Sequence, residues 1–215
     1  PGEFLGITGP TGSGKSTLTQ LIPRFYVVAA GRITVNGLDV QAWDLAALRH
    51  QIAFVPQTAV LFHGTIRENL QWGKADATDE GCFQALETAQ CREFVEKLPE
   101  GLDTMVMENG KNFSGGQRQR LTIARALIRK PHLLILDDSL SALDYQTDLD
   151  LRQALARDLD SAMIIISQRV RSIQQAKEIL VLDSGRLVGK GTHEALLLSS
   201  SEYQAIVASQ EEEHD

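Results

Sequence analysis

The sequence has 215 residues, with 21 basic and 28 acidic side chains and a formal charge of −7. That length supports one core with a subdomain, and the acidic balance argues against a nucleic-acid surface, which needs a basic face. The longest apolar runs, near Leu133–Leu136 and Met163–Ile166, fall far below the ~18 residues that span a bilayer. No signal-peptide pattern opens the sequence. Cys82 and Cys91 share a helical-looking region and lack metal-ligand spacing, so they read as reduced packing residues of a cytosolic chain.

In chain order, Glu3–Thr8 reads as a short buried strand, and Ser16–Ile22 has apolar residues at helical spacing up to Pro23. Between them, Gly9-Pro-Thr-Gly-Ser-Gly-Lys-Ser16, closed by Thr17, satisfies G-x-x-x-x-G-K-[ST] in the strand–loop–helix context that this pattern needs. Its glycines let successive N–H groups from Thr11, Gly12, Ser13 and Gly14 turn toward phosphate oxygens, beside a helix N-terminus. Lys15 supplies a full charge for the β- and γ-phosphates of ATP, and the Ser16 hydroxyl can ligate Mg²⁺.

Gly31–Val40 alternates around Asn36-Gly37, a type I′ hairpin signal. Asp44–Arg49 is expected as a short helical turn, Gln51–Val55 as a strand ending at Pro56, and 78–98 as helix around Phe83, Leu86, Phe94, Val95 and Leu98. Ser114–Gln117 opens a further helix, Arg118–Arg129, before the strand Leu133–Leu136 and Asp137-Asp138. The pattern continues with helix Thr147–Leu159, strand Ala162–Ile166, strand Ile179–Leu182, a turn at Asp183-Ser-Gly185, strand Arg186–Val188 and a helix to about Ser209. Glu211–Asp215 reads as a solvated end, and His50, His63, His132, His193 and His214 as surface or packing residues. Alternating strands and helices imply a mainly parallel sheet with helices on both faces. An aspartate closing a buried strand, Asp137, is the expected second half of a phosphate-loop site, where it can hold the Mg²⁺ shell.

The run Phe113-Ser-Gly-Gly-Gln-Arg-Gln-Arg-Leu-Thr-Ile-Ala-Arg-Ala-Leu127 resembles the signature helix of the ATP-binding cassette (ABC) family, with Phe113 in place of the usual leucine. Ser114, Gly115 and Gly116 form a second anion-binding helix N-terminus. The resemblance implies that Ser114, Gly115, Gly116 and Gln117 act in trans on the γ-phosphate held by another domain's P-loop. Gln57 after Val55-Pro56 matches the Q-loop, implied to sense Mg²⁺ and the attacking water and to touch a transmembrane partner. Ser141-Ala-Leu-Asp144 matches the D-loop, placing Ser141 and Asp144 at the dimer interface. The Gly64-Thr-Ile-Arg-Glu-Asn69 run resembles the exporter branch. The implied fold is an α/β P-loop NTPase over residues 1–215: a RecA-like core at about 1–75 and 128–215, a helical subdomain at about 76–127, and a truncated antiparallel β subdomain. An upstream adenine-stacking residue is expected outside this sequence, as are membrane helices on the same polypeptide, with this domain itself soluble at the cytoplasmic face of the membrane.

Two positions depart from the family pattern. Asp138 stands where active members carry glutamate, so its carboxylate reaches about 1 Å less far toward a water. Gln168 replaces the switch histidine and cannot become cationic. Both departures lie at the γ-phosphate, with Gln57 the third member of that catalytic group. The expectation is therefore the slow-site half of a heterodimeric ABC exporter, whose Ser114–Gln117 completes the partner's productive site. An importer subunit and a binding-only regulatory ABC domain remain as alternatives. A DNA-repair-type ATPase is disfavoured by the acidic charge and by the lack of a heptad array.

Overall fold

The computed structural model describes residues 4–211. In chain order it contains strand β1 (Phe4–Thr8), helix α1 (Lys15–Gln20), the hairpin β2 (Thr34–Val35) and β3 (Leu38–Asp39), α2 (Leu45–Gln51) and β4 (Ile52–Val55). Then come β5 (Gly64–Thr65), α3 (Ile66–Gln71), α4 (Asp79–Thr88), α5 (Arg92–Glu96), β6 (Met105–Val106) and α6 (Gly115–Leu127). The last third holds β7 (Leu133–Asp137), α7 (Tyr145–Asp158), β8 (Ala162–Ile166), α8 (Val170–Ile173), β9 (Glu178–Asp183), β10 (Arg186–Gly191), α9 (His193–Ser199) and α10 (Ser201–Glu211).

The main sheet runs β10-β9-β1-β8-β7-β4, with β10 antiparallel and the other strands parallel. Register pairs Phe4 with Met163 and Leu5 with Glu178, and Leu134 with both Met163 and Ala53. Because successive side chains leave opposite faces, Ile7, Ile135, Ile166 and Leu182 pack with Leu48 of α2 on one side. Leu134, Leu136, Ile165, Ile179 and Val181 join α6, α7 and α8 on the other. A sheet covered on both faces is what near-continuous apolar strands require. The parallel strands all end at one edge, and β8 lies between β1 and β7, so the chain ends of all three meet there.

Local chemistry explains the boundaries. Asp44 caps α2 by accepting from Ala47 N–H at 2.9 Å, Thr65 and Glu68 form a capping box at α3, and Asp144 caps α7. Both hairpin turns have two consecutive left-handed residues, Asn36-Gly37 (φ 51°, 79°) and Ser184-Gly185 (φ 49°, 74°), as a type I′ turn demands. Two expected helices are broken. The 78–98 helix stops at Thr88, because Gln90 turns left-handed (φ 56°). Gln90 N–H then bonds Glu87 and Cys91 N–H bonds Leu86, each at 2.9 Å, a Schellman end with glutamine where glycine is usual. The terminal helix is interrupted at Ser200, whose hydroxyl accepts from Tyr203 N–H at 3.2 Å and starts α10 afresh. Strand β10 runs three residues past its expected end, across a bulge between Leu187 and Gly189. The β5–β6 pairing, Gly64 with Val106, is a long-range contact that the sequence pattern did not announce. Cys82 and Cys91 are free and buried. The expectation for the acidic tail falls on side chains outside the described residues.

Candidate functional site

The Gly9–Thr17 loop leaves the end of β1 at Gly9, which has φ 146°. A side chain there would meet the Leu182 carbonyl at 2.0 Å, so the loop can leave the sheet this closely only as glycine. The loop is braced from the other side by the β9–β10 turn, where Gly185 N–H donates to Ser13 O at 3.1 Å. Gly12 (φ 81°) has open space where a Cβ would stand. Lys15 folds its ammonium back into the loop and donates to Gly9 O and Pro10 O, both at 2.8 Å, and to Ser13 Oγ at 3.3 Å. Burial pushes its pKa below the ordinary lysine value, while Asp138 and then Asp137 pull it upward.

Asp137 ends β7 and is 5 % exposed. Its Oδ1 accepts from Ser16 Oγ at 2.8 Å. One hydroxyl and one carboxylate therefore converge beside the phosphate loop, the hard oxygen set that suits Mg²⁺. Burial raises the Asp137 pKa, against the lowering effects of the Ser16 hydrogen bond and Lys15.

The neighbouring carboxylate is already engaged. Asp138 has a left-handed backbone (φ 47°), a region that short Asp and Asn tolerate better than longer residues. Its Oδ2 accepts from Gln57 Nε2 at 2.9 Å. Burial and then Asp137 raise its pKa, opposed chiefly by Lys15 and Arg169. The Gln168 side chain extends toward the phosphate loop, with Nε2 3.5 Å from Thr11 Oγ1. Thus Gln57, Asp138, Gln168 and the Thr11 end of the loop, distant in sequence, come together at one strand edge. The exposed Thr17 follows Ser16 on α1.

Ser114–Gln117 takes a different place. Ser114 Oγ accepts from Gln117 N–H at 3.2 Å, and Gln117 Oε1 accepts from Ser114 N–H at 2.9 Å. This reciprocal box occupies the Gln117 carbonyl oxygen and leaves the Ser114 hydroxyl proton free to donate. Among the described residues, no hydrogen bond joins this segment to the chain's own phosphate loop. A Cβ on Gly116 would lie 3.5 Å from Ala142 O, so the start of α6 is seated against the 141–144 loop. Ser141 Oγ donates to Asp138 O at 2.7 Å. Asp144 accepts from Thr147 N–H and Oγ1 as the α7 cap. Sequence reasoning missed Arg169, which donates to Ser141 O at 2.9 Å and Leu143 O at 3.2 Å. It also missed the Gly185 brace. Neither carries a local signal, because both depend on strands brought together by the sheet.

The family model described as ABC transporter matches residues 1–141. The chain belongs to the ABC transporter family. It is 48% identical over 210 residues to the uncharacterized ABC transporter ATP-binding protein YfiB of Bacillus subtilis, covering 98% of this chain and 36% of that protein. It is 43% identical over 206 residues to the ATP-dependent lipid A-core flippase of Desulfotalea psychrophila, covering 95% of this chain and 36% of the relative. A solved structure described as a bacterial Atm1-family ABC exporter with ATP bound superimposes with a TM-score of 0.93 at 38% identity, covering 97% of this chain and 37% of that one. The ABC domain thus spans about a third of the length of the relatives it matches. Among the described residues, no helix is long and apolar enough to cross a membrane.

Proposed function

We propose that this ABC domain is the ATP-binding half-engine of an exporter and that it works at the cytoplasmic face of the membrane, paired with a second ABC nucleotide-binding domain and driven against a transmembrane domain. Relatives named as a flippase and as an exporter support the export reading. Lys15 and the Thr11–Ser16 amides hold the triphosphate, with Lys15 exchanging its carbonyl partners for phosphate oxygens. Ser16 and Asp137 would hold Mg²⁺, which when bound would supply positive charge against the phosphate oxygens. ATP closes the pair head to tail, and each domain's Ser114-type hydroxyl and helix N-terminus meet the γ-phosphate on the other's loop. The exposed Phe62–Trp72 pair (centroids 5.0 Å apart) and the exposed Met105, paired with Thr65, offer the apolar ground for the transmembrane partner.

In this reading the chain's own site hydrolyses slowly. The observation that carries it is the Asp138 carboxylate, one methylene short and bonded to Gln57 Nε2 at 2.9 Å. A base must sit about 2.6–3.2 Å from the proton it takes, and this one is turned toward its own chain. Gln168 can hydrogen-bond a γ-phosphate but cannot share a proton with it. The partner domain, with glutamate and histidine at the matching places, then performs most turnover using this chain's Ser114–Gln117. ATP turnover by the reconstituted pair tests this division. Replacing the partner's glutamate by glutamine should remove most hydrolysis, and undiminished turnover would refute the assignment.

A further inference from the structure

Gln210 lies on α10, 42 residues beyond Gln168, and its amide bridges the main chain on both sides of Arg169. Its Nε2 donates to Gln168 O at 2.6 Å, and its Oε1 accepts from Val170 N–H at 2.9 Å. A primary amide offers both a donor and an acceptor in one plane, as these two contacts require. Val170 N–H belongs to the first residue of α8, a position whose donor has no partner within its own helix. The same short loop is tied to the 141–144 loop through Arg169. It is tied to α7 through Ser172, whose Oγ donates to buried Asp148 at 3.0 Å. Gln210 adds a tie to the last helix, and it grips the residue whose side chain reaches toward Thr11 of the phosphate loop. Gln168 is held at its backbone C=O by Gln210.

We propose that Gln210 is a positioning residue for the γ-phosphate side of the site: it fixes the Gln168 main chain so that the Gln168 side chain faces the Thr11 end of the phosphate loop. Through this amide the last helix governs how firmly the site distinguishes a triphosphate from a diphosphate. The inference rests on the reading of Gln168 as the group that meets the γ-phosphate.

The test uses the full-length, assembled transporter, with the partner's site blocked by loss of its P-loop lysine. Magnesium-dependent affinities for ATP and for ADP are measured side by side. Gln210→Leu removes both bonds. Gln210→Glu keeps the acceptor for Val170 but sets a carboxylate against the Gln168 carbonyl. Each should weaken ATP about five- to tenfold, the scale of one or two hydrogen bonds, and leave ADP within about twofold. Gln168→Ala should produce the same selective loss. If Gln168→Ala lowers the ATP preference and both Gln210 variants leave it intact, the positioning role is wrong. If Gln168→Ala itself leaves the preference intact, the γ-phosphate reading of Gln168 fails, and the proposal falls with it. Amide exchange separates positioning from general loosening. Val170 N–H should exchange faster in Gln210→Leu while Leu180 of β9 keeps its protection. Equal weakening of ATP and ADP with faster exchange throughout β9 would overturn the proposal.

Discussion

The two halves of the nucleotide site lie side by side on the same strand edge and differ in what their side chains are free to do. At the phosphate-holding half, Lys15, Ser16 and Asp137 are the residue types that binding requires, and each is parked on a partner that a phosphate or Mg²⁺ can replace. At the half proposed to face the γ-phosphate, Asp138 is short, sits on a left-handed backbone and is bonded to Gln57. The first half is poised to exchange ligands. The second is organised around contacts within the chain. In the proposed reading the site keeps its grip while its chemistry declines, because Lys15 and Ser16 follow β1 whereas Gln57 and Gln168 follow β4 and β8, with only the end of β7 shared between Asp137 and Asp138.

The comparison can be broken most directly at Lys15. Lys15→Ala should reduce ATP affinity by about a hundredfold, the worth of a charge-assisted contact of 2–3 kcal/mol, as measured by nucleotide titration. If binding were barely altered, the phosphate-holding half would not be the anchor. Restoring the other half should have the next largest effect. Asp138→Glu with Gln168→His, assayed with the partner's site blocked, should raise turnover by about tenfold or more. Glutamate on that left-handed backbone should also cost about 1 kcal/mol of stability, visible as a lower denaturant midpoint. A double variant with unchanged turnover would show that some other group limits the chemistry.

A glycine pair sharpens the contrast between holding shape and holding ligand. Gly9→Ala should destabilise the fold by more than about 2 kcal/mol, because its Cβ meets the Leu182 carbonyl at 2.0 Å. Gly12→Ala, with open space around it, should fold with a loss of only about 1 kcal/mol, from its left-handed backbone, and lose ATP affinity as the methyl enters the cradle. Equal melting losses for both would contradict the geometry.

The smallest effect concerns pH. Burial raises the Asp138 pKa in the folded chain above its unfolded value. The folded state therefore holds the proton more tightly, and stability is lost as pH rises from the unfolded value through the folded one. Asp138→Asn keeps an acceptor for Gln57 and a residue suited to the left-handed region. Its Tm in the nucleotide-free chain should exceed that of the parent at pH 7 by less than about 4 °C. The gap should close as pH falls to the ordinary carboxylate range. A gap that widened in acid would reverse the sign argued for this group.

The phosphate loop was legible because its chemistry is local: glycines, a lysine and a hydroxyl within one turn, between a strand and a helix. The same holds for the two I′ turns, where Asn36-Gly37 and Ser184-Gly185 carry the required φ in adjacent residues. Asp137 was legible only because a strand pattern led into it. The break after Thr88 was not, since glutamine gives no sign of turning left-handed. That position is fixed by the buried Ala89 and Cys91 around it and by Arg120, which donates to the Gln90 carbonyl. The seat of Gly116 on Ala142 and the contacts of Arg169 depend on the order β1-β8-β7, which no local pattern encodes. The terminal helices were legible as helix, but the hold of Gln210 on Gln168 and Val170 was not.

Lys15's ammonium, seated among the carbonyls of its own loop, has a kinetic consequence. An internal cation tied to Gly9 O, Pro10 O and Ser13 Oγ holds the curvature of the loop from within, as a brace that needs no neighbouring element. In the proposed role, binding is a substitution of one oxygen ligand for another around that nitrogen, and its speed should follow encounter with the nucleotide rather than reordering of the backbone.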